Sequence, residues 1–347
     1  MAIRKSLALL RGSLVVLSAL GVCALVARPL NPPVAEAQGR PDLEAQHQRM
    51  LPLFELAGVV FTDADETRGR LVVGVLDRDV EGLVRARLRV LGIPADAVDV
   101  VETAPIFQLA TLRDRAPSVV AGLQIRFSQF LCSLGFNAIN ANGVSGFVTA
   151  SHCSDRQGSV DGTTYYQPLD QVPADLIGTE IADPAYVRNS VGCPKGRKCR
   201  RSDANFSRAD GPRLFTLGAI ARTTGIGSLT IDPAHPTFTI TNDGVAAVGS
   251  TVNKIGRTTG WTQGRVTGTC VNTGVSGTSI VLLCQTFVES NSVIVAGGDS
   301  GSPVFATAGG DNATLLGDLW GGNSDGTQFV YSPIANIEAE LGNLTTH

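Results

Sequence analysis

The sequence has few charged residues, few aromatic residues and few helical patterns. Charged residues make up 17% of the 347 positions, aromatic residues 5%, and the net charge is −3. A small negative net charge gives no basis for nucleic-acid binding, so no nucleic-acid partner is predicted. The 43% hydrophobic content excludes a disordered chain. The 39 glycines favour an all-β protein with many turns over one built from long helices.

The only long apolar run near the N-terminus, Ser13 to Val26, is short for a transmembrane helix, which needs about 20 residues. Arg4 and Lys5 precede it, and the small residues of "AEA" follow, which predicts a secretory signal peptide at 1–37 cleaved after Ala37. A lipoprotein signal using Cys23 and a retained membrane anchor are the alternatives. We predict a secreted protein, extracellular or periplasmic, with no stable membrane insertion after cleavage.

Removal of the signal peptide leaves an even number of cysteines. Six in an exported chain suggest three disulfides, although six cysteines allow many connectivities. Local spacing favours consecutive pairs: Cys193–Cys199, Cys270–Cys284 across a hairpin with its turn near Gly277, and by remainder Cys132–Cys153. No cysteine pair has zinc-ligand spacing near a histidine. We predict neither a metal nor a cofactor.

The remaining chain has two regions of different pattern. A strand, an amphipathic helix and a second strand predict a compact β-α-β unit at about 69–107. The helix places Val80, Leu83, Val84, Leu88 and Leu91 on one stripe. "ATLRDRAPS" (110–118) follows and predicts an exposed, cleavable connector. From 118 onward, short strands and frequent glycines predict one β-barrel or a pair.

Three short stretches carry residues suited to nucleophilic catalysis. "GFVTASHCSD" contains His152, "CRRSDANF" contains Asp203, and "VAGGDSGSPVF" contains Ser300. A serine hydroxyl needs a neighbouring base, usually histidine, and an aspartate fixes the tautomer of that histidine. The glycine-rich loop allows the N–H groups of Gly298 and Ser300 to converge on an oxyanion.

Other histidines and aspartates are candidates for the same roles. His235 is the only other candidate base in the second region, and it lies in a loop between prolines. Asp155, Asp175 and Asp183 also lie between His152 and Ser300. Asp155 is too near His152 in sequence to reach back under the imidazole, and Asp203 is preferred because of its surrounding motif.

"TASHC" together with "GDSGSP" resembles the chymotrypsin-fold serine peptidases. "LCSLGFN" (131–137) and "GRTTGWTQG" (256–264) are most similar to the bacterial streptogrisin and alpha-lytic branch, and the resemblance extends from Val119 to the C-terminus. It implies two antiparallel six-stranded β-barrels, at about 118–225 and 226–347, with the active site between them. It also implies a secreted serine endopeptidase that acts on a protein or peptide substrate, and we expect a monomer.

The resemblance further implies synthesis as a precursor with a small α+β pro-region that assists folding, at 38–117. We expect its cleavage near 115–119. "VVAGLQI" at 119–125 resembles the start of trypsin-like enzymes, whose free amine pairs with the aspartate before the serine. The streptogrisin branch uses an internal cation instead, so Asp299 is expected to pair with Lys254 or Arg257.

The resemblance places the specificity pocket at Ile294, Val295, Trp320, Gly321 and Gly322. No acidic residue stands at the first two positions, so basic P1 residues are disfavoured and small or medium apolar ones are expected. If "LGDLWGG" is aligned on its glycines, the tryptophan falls where relatives often carry a serine that supports the catalytic aspartate. Either this alignment slips by one residue or Asp203 lacks that hydrogen bond. Ser302 replaces a glycine of relatives and has no predicted role.

Two other classes of protein fit this sequence less well. An α/β-type esterase needs the chain order serine, aspartate, histidine, which is the reverse of the order here. A non-catalytic, protease-like module that binds peptides is the alternative function, but such modules usually lose a member of the triad.

Overall fold

The computed structural model describes residues 41–188 and 192–347. The predicted signal peptide, its cleavage after Ala37 and the alternative at Cys23 lie outside these residues. The chain forms two compact units that divide after Ile106. Within the described ranges, no helix has both the length and the apolar character needed to cross a membrane.

The first unit is a small three-stranded sheet with two helices. Its elements are α1 (Pro41–Gln48), β1 (Val59–Asp65), β2 (Arg70–Val75), α2 (Glu81–Val90) and β3 (Val98–Glu102). The central strand β2 pairs antiparallel with β1 and parallel with β3, which α2 connects to it.

The strand-helix-strand part of this unit has the order of the predicted β-α-β unit, with three differences from the prediction. The last strand ends at Glu102, short of the predicted Phe107, and β1 was not predicted. Leu83 is 59% exposed, contrary to the predicted apolar stripe. Helix α2 has ten residues, and its buried face is formed by Val84 and Leu88, one turn apart.

The second unit is mostly β-structure. Its strands are β4 (Ser118–Ala121), β5 (Gln124–Phe127), β6 (Phe130–Ser133), β7 (Phe136–Asn140), β8 (Ser145–Ala150), β9 (Thr164–Tyr166), β10 (Leu176–Ala182), β11 (Val187–Arg188), β12 (Lys198–Arg200), β13 (Ala204–Ala209), β14 (Leu214–Ala221), β15 (Thr237–Asp243), β16 (Thr251–Gly256), β17 (Gly260–Gly274), β18 (Ile280–Glu289), β19 (Pro303–Thr307), β20 (Asn312–Gly322), β21 (Gln328–Pro333) and β22 (Leu344–Thr345). Helix α3 (Ile334–Leu341) precedes the last strand and was not predicted, because an eight-residue amphipathic segment is too short to give a clear helical period.

The strands of the second unit form two sheets. One has eight strands in the order β22-β7-β8-β13-β10-β9-β5-β6. The other has eleven strands. Ten of them follow the order β11-β12-β18-β17-β16-β19-β20-β15-β14-β4, and the eleventh, β21, pairs with β18 and β20. These numbers differ from the six strands expected in each. The sheets also do not divide the chain at residue 225, because β4 and β14 belong to the second sheet.

Apolar and aromatic side chains fill the space between the strands. Four aromatic side chains of the first sheet are fully buried: Phe136, Phe147, Phe206 and Tyr165. The rings of Phe147 and Tyr165 meet edge to face, with their centroids 5.5 Å apart. The structure contains three disulfides, Cys132–Cys153, Cys193–Cys199 and Cys270–Cys284, the pairs that the local spacing favoured. The last one crosses the β17–β18 hairpin.

The predicted exposed connector at 110–118 is not exposed throughout. Leu112 is fully buried in the main apolar cluster of the second unit. Its N–H donates to the carbonyl of Leu229, and its own carbonyl accepts from Gln124. The prediction of exposure was wrong here because it was based on the charged residues of the segment. These charged residues directly follow one fully buried leucine.

Candidate active site

Strand pairing brings His152 and Asp203 together. His152 lies in a single 3₁₀ turn, Ser151–Cys153, directly after β8, and Asp203 directly precedes β13. β8 and β13 are antiparallel neighbours with Ala150 opposite Ala204, so the histidine and the aspartate stand at the same end of adjacent strands. The N–H of Ser151 donates to the carbonyl of Asp203 and closes this end of the ladder.

The imidazole and the carboxylate are directly hydrogen-bonded. His152 Nδ1 lies 2.5 Å from Asp203 Oδ2. The carboxylate is 1% exposed, whereas the imidazole is 34% exposed. Burial lowers the pKa of His152, but the Asp203 charge and hydrogen bond more than offset it, so the pKa lies above its usual value. Burial alone would raise the pKa of Asp203; His152 and the other donors lower it overall.

Two residues that the sequence did not indicate hold the other oxygen of Asp203. The hydroxyl of Tyr186 donates to Oδ1 at 2.5 Å, and Nε2 of Gln157 donates to it at 2.9 Å. Burial, together with the neighbouring Asp203 charge, raises the pKa of Tyr186, so its hydroxyl stays a donor. No local motif marks these side chains, because they reach Asp203 only through the fold.

Trp320, the residue expected in place of a serine that supports the aspartate, is hydrogen-bonded to another side chain. The indole N–H of Trp320 donates to Gln285 Oε1 at 2.9 Å, and the hydroxyl of Ser332 donates to the same oxygen at 3.0 Å. Ser332 Oγ in turn accepts the backbone N–H of Asp203. The chain therefore supports the aspartate through other residues.

The loop around Ser300 depends on two glycines with positive φ. Gly298 has φ +94° and Gly301 has φ +83°. A Cβ at Gly301 would collide with the side chain of Thr149 and the carbonyl of Ser133. Within the described part of the chain, the N–H groups of Gly298 and Ser300 have no acceptor, whereas that of Asp299 is bonded to Ala296. Both free N–H groups belong to the predicted oxyanion site.

Asp299, between these residues, is fully buried and pairs with Lys254. Lys254 Nζ lies 3.3 Å from Asp299 Oδ2, and neither side chain is exposed. Burial lowers the pKa of Lys254, and the Asp299 charge opposes that shift. The other candidate cation, Arg257, donates instead to Gln124 Oε1 at 2.7 Å. Backbone N–H groups of Thr258 and Ala296 also donate to the carboxylate.

Ser302 has a structural contact. Its hydroxyl donates to the carbonyl of Asp299 at 2.5 Å, and its N–H donates to the same carbonyl at 3.0 Å. Gly256 packs against this hydroxyl so closely that a Cβ there would overlap it. The serine thus adds a hydrogen bond behind the Ser300 loop and is itself fully buried.

Two cavities meet at His152. The smaller, about 280 Å³, is also lined by Ser300 and Gly298, with Phe127, Phe130, Leu131, Cys132 and Ser154 as the other lining residues. The larger, about 540 Å³, is lined on one side by Trp320, Gly321 and Gly322. Ile294 and Val295 lie beneath this wall in an apolar cluster, and Val295 packs against Gly322. Three of the five predicted pocket residues therefore face a cavity.

Asp318 is a buried carboxyl that the sequence analysis did not single out. It is fully buried at the start of the Leu319–Gly322 stretch, and neither of its oxygens has a partner among the described residues. Burial raises its pKa well above the usual value, and the charge of Asp203 adds to the shift.

No cluster of histidine, cysteine, aspartate and glutamate in the described ranges has the arrangement of a metal site. The residues gathered here are instead an imidazole on a buried carboxylate, a serine hydroxyl on the same cavity and two unpaired N–H groups. Such a set suits proton transfer and the stabilisation of an oxyanion.

Comparison with known proteins gives two curated relatives. The chain is 30% identical to Serine protease 2 of Streptomyces fradiae over 194 residues, 56% of this chain and 88% of that protein. It is 28% identical to streptogrisin-A of Streptomyces griseus over 232 residues, 65% of this chain and 60% of that protein. No protein-family profile matches the chain.

One similar solved structure is protease A of Thermobifida fusca. It is 24% identical, with a TM-score of 0.47, and the match covers 66% of this chain and all of that one. The family follows from the curated relatives, because the chain spans nearly the whole of Serine protease 2 at 30% identity. The chain belongs to the chymotrypsin-fold serine proteases, in the branch of the streptogrisins and alpha-lytic protease.

Proposed function

We propose that the protein is a secreted serine endopeptidase with His152, Asp203 and Ser300 as its catalytic residues. The observation that carries the proposal is the 2.5 Å contact between His152 Nδ1 and the buried carboxylate of Asp203, beside a cavity that His152 shares with Ser300. The ring nitrogen that is not bound to the aspartate, Nε2, is then the one available to the serine.

The chemistry follows from these positions. Ser300 Oγ attacks the carbonyl carbon of a peptide bond while His152 Nε2 accepts its proton. The oxyanion is stabilised by the N–H groups of Gly298 and Ser300, which have no acceptor in the described structure. The imidazolium, stabilised by Asp203, then gives the proton to the leaving amine. Water hydrolyses the acyl-enzyme by the reverse sequence of proton transfers.

The finer architecture belongs to the same proposal. The eight-stranded sheet and the larger sheet of the second unit correspond to the two barrels of the family, and Lys254 braces the oxyanion loop in place of a free N-terminal amine. The small α+β unit at 41–106 is a pro-region that assists folding. A precursor of this kind suits a β-rich protein with many non-local contacts, which folds slowly. Three disulfides suit secretion of a monomer.

The proposed substrate is an extended peptide lying along Trp320–Gly322. Gly321 and Gly322 present backbone to the larger cavity, which favours binding of the substrate as an added strand. Among the residues that the structure describes, Asp203 is the only acidic one that lines this cavity, and its charge is paired with His152. A basic P1 side chain would therefore find no unpaired carboxylate, and a small or medium apolar one is preferred.

Covalent labelling tests the assignment of the nucleophile. A sulfonyl-fluoride probe is expected to label one residue of the folded enzyme, and peptide mass mapping is expected to place the label on Ser300. Ser302→Ala is the matched control, because that serine is two residues away but fully buried. The control variant should still carry the label on Ser300. Labelling that persists in Ser300→Ala contradicts the assignment.

The same assay distinguishes the alternative, a peptide-binding module without catalysis. Such a module would bind a peptide yet show neither labelling nor cleavage of casein. The paired His152 and Asp203 favour the enzyme, because an imidazole oriented by a buried carboxylate is required for general-base catalysis but not for peptide binding.

Tyr186→Phe is expected to slow catalysis without weakening substrate binding. It removes one of two donors to Asp203 Oδ1, a hydrogen bond to a charged group of the kind that contributes about 1.5–3 kcal/mol. Because Gln157 still donates to the same oxygen, only part of this energy is lost, and we expect kcat to fall about 3- to 30-fold with little change in KM. The less dispersed charge on Asp203 raises the pKa of His152, so the acid limb of kcat/KM moves to higher pH.

The pH profile of kcat/KM separates this positioning role from a general loss of structure. Tyr166→Phe is the control, because this tyrosine lies on β9, away from Asp203, and its variant should keep the wild-type profile. If the acid limb of the kcat/KM profile is unchanged in Tyr186→Phe, the Tyr186 hydroxyl does not act on His152 through Asp203.

A further inference from the structure

Residues 110–117, here called the strap, are built into the second unit. Leu112 is fully buried in the main apolar cluster. Its N–H donates to Leu229 O at 2.9 Å and its carbonyl accepts from Gln124 N–H at 2.8 Å, while Ile231 N–H donates to the carbonyl of Ala110 at 2.7 Å. The strap is therefore hydrogen-bonded on both sides of a buried side chain.

Polar contacts hold the second half of the strap. Gln167 is fully buried; its Nε2 donates to Asp114 O at 2.8 Å, and its Oε1 accepts from Ala116 N–H at 3.3 Å. Arg115 pairs with the buried carboxylate of Asp175. Removing the strap would leave a leucine-sized cavity in the core. It would also take the acceptor from Nε2 of the buried Gln167 and the cation from the buried carboxylate of Asp175.

The segment just before the strap has the opposite character. Residues 104–109 have no regular secondary structure, and in the described structure their backbone has no hydrogen-bond partner. Ile106 is 78% exposed and Leu109 is 73% exposed, and Phe107 is exposed between them. A peptidase binds its substrate as an extended strand, which requires a segment whose backbone is free.

We propose that the precursor is cut within 104–109 by another copy of this enzyme, and that the mature enzyme keeps the strap at its N-terminus. This inference rests on the proposed endopeptidase activity. It moves the cut from the predicted 115–119, where the chain is bonded to the core, to the stretch whose backbone is free. The exposed, medium-sized apolar side chains of Ile106 and Leu109 match the preference inferred for the larger cavity.

The cleavage step balances as ordinary peptide hydrolysis. Ser300 Oγ of the acting copy bonds to a carbonyl carbon within 104–109, and the C–N bond of that peptide breaks. The serine proton passes through His152 to the new amine, which becomes the N-terminus ahead of the strap. Water then hydrolyses the ester, which leaves a free carboxylate on the first unit and regenerates the serine.

The test uses full-length Ser300→Ala precursor, which cannot cut itself, incubated with processed wild-type enzyme. N-terminal sequencing and intact mass are expected to show one new end between 104 and 110, with Leu112 retained. A new end between 111 and 119, or a precursor left uncut by enzyme that hydrolyses casein, overturns the inference. Wild-type enzyme that hydrolyses no substrate instead overturns the proposed function.

A brief digest of the same precursor with a broad-specificity protease tests the strap independently of this enzyme's activity. Cleavage is expected within 104–109, and cleavage within 111–117 counts against a built-in strap. The combined change Ile106→Lys, Phe107→Lys and Leu109→Lys is expected to slow cutting by the wild-type enzyme at least about tenfold. Val90→Lys, at an equally exposed position on α2, should leave the rate unchanged.

Discussion

Ser300→Ala is expected to lower kcat by about 10⁴- to 10⁶-fold while KM stays close to the wild-type value. The substitution removes the nucleophile but leaves the oxyanion N–H groups and the Trp320–Gly322 wall in place. The rate that remains above that of the uncatalysed reaction in water comes from the oxyanion N–H groups and from substrate binding at this wall. Steady-state hydrolysis of an apolar P1 peptide, with active-site titration of the wild type, measures the change.

The double variant Ser300→Ala/His152→Ala sharpens this prediction. Because the two residues act in one proton transfer, the double variant should be about as slow as Ser300→Ala alone. If the fold-losses of the two single variants multiply in the double variant, the two side chains act independently. Their position on one cavity does not favour that outcome.

The pH dependence of the wild type follows from the same pair. The imidazole must be neutral to accept the serine proton, and the Asp203 charge holds the pKa of His152 above its usual value. Activity is therefore low below that pKa and rises as the pH increases through it.

Lys254→Met is the variant with the largest expected effect on stability. Lys254 and Asp299 are both fully buried and paired at 3.3 Å. Removing the lysine leaves an uncompensated buried carboxylate, which costs about 3–5 kcal/mol of unfolding free energy. Urea unfolding of the processed enzyme measures the loss. The Ser300 loop is braced by this carboxylate, so labelling by the sulfonyl-fluoride probe is expected to slow as well.

Adding Asp299→Asn to Lys254→Met removes the unpaired charge and is expected to recover part of the lost stability. Recovery is incomplete because the carboxylate also accepts hydrogen bonds from Thr258, Thr259 and Ala296. Lys195→Met, at an exposed lysine, is the control and should change stability by less than about 0.5 kcal/mol. A Lys254→Met enzyme as stable as this control would refute the bracing role.

The parts of the site that lie in short motifs were predictable. "TASHC", "SDANF" and "GGDSGSP" each combine residue types whose chemistry is recognisable within a few positions, and their order along the chain selected one class of enzyme. Cysteine spacing favoured the three pairs that the structure contains for a similar reason, since two of them close short local loops.

Predictions failed where a residue's environment comes from distant parts of the chain. Leu112 lies among arginines and an aspartate in the sequence, yet its hydrogen-bond partners and neighbours belong to strands and loops far along the chain. Leu83 matches an apolar helical pattern but faces solvent, because a periodic pattern does not say which neighbours cover each face.

By itself, the sequence determined the enzyme class, the mostly β-fold and the identity of the residues proposed for chemistry, because these depend on residue types at local spacing. Only the tertiary structure decided that Lys254 rather than Arg257 pairs with Asp299, that Tyr186 and Gln157 hold Asp203, and that the strap is part of the core. Each of those outcomes depends on distances between atoms that only folding brings together, and no local pattern encodes such distances.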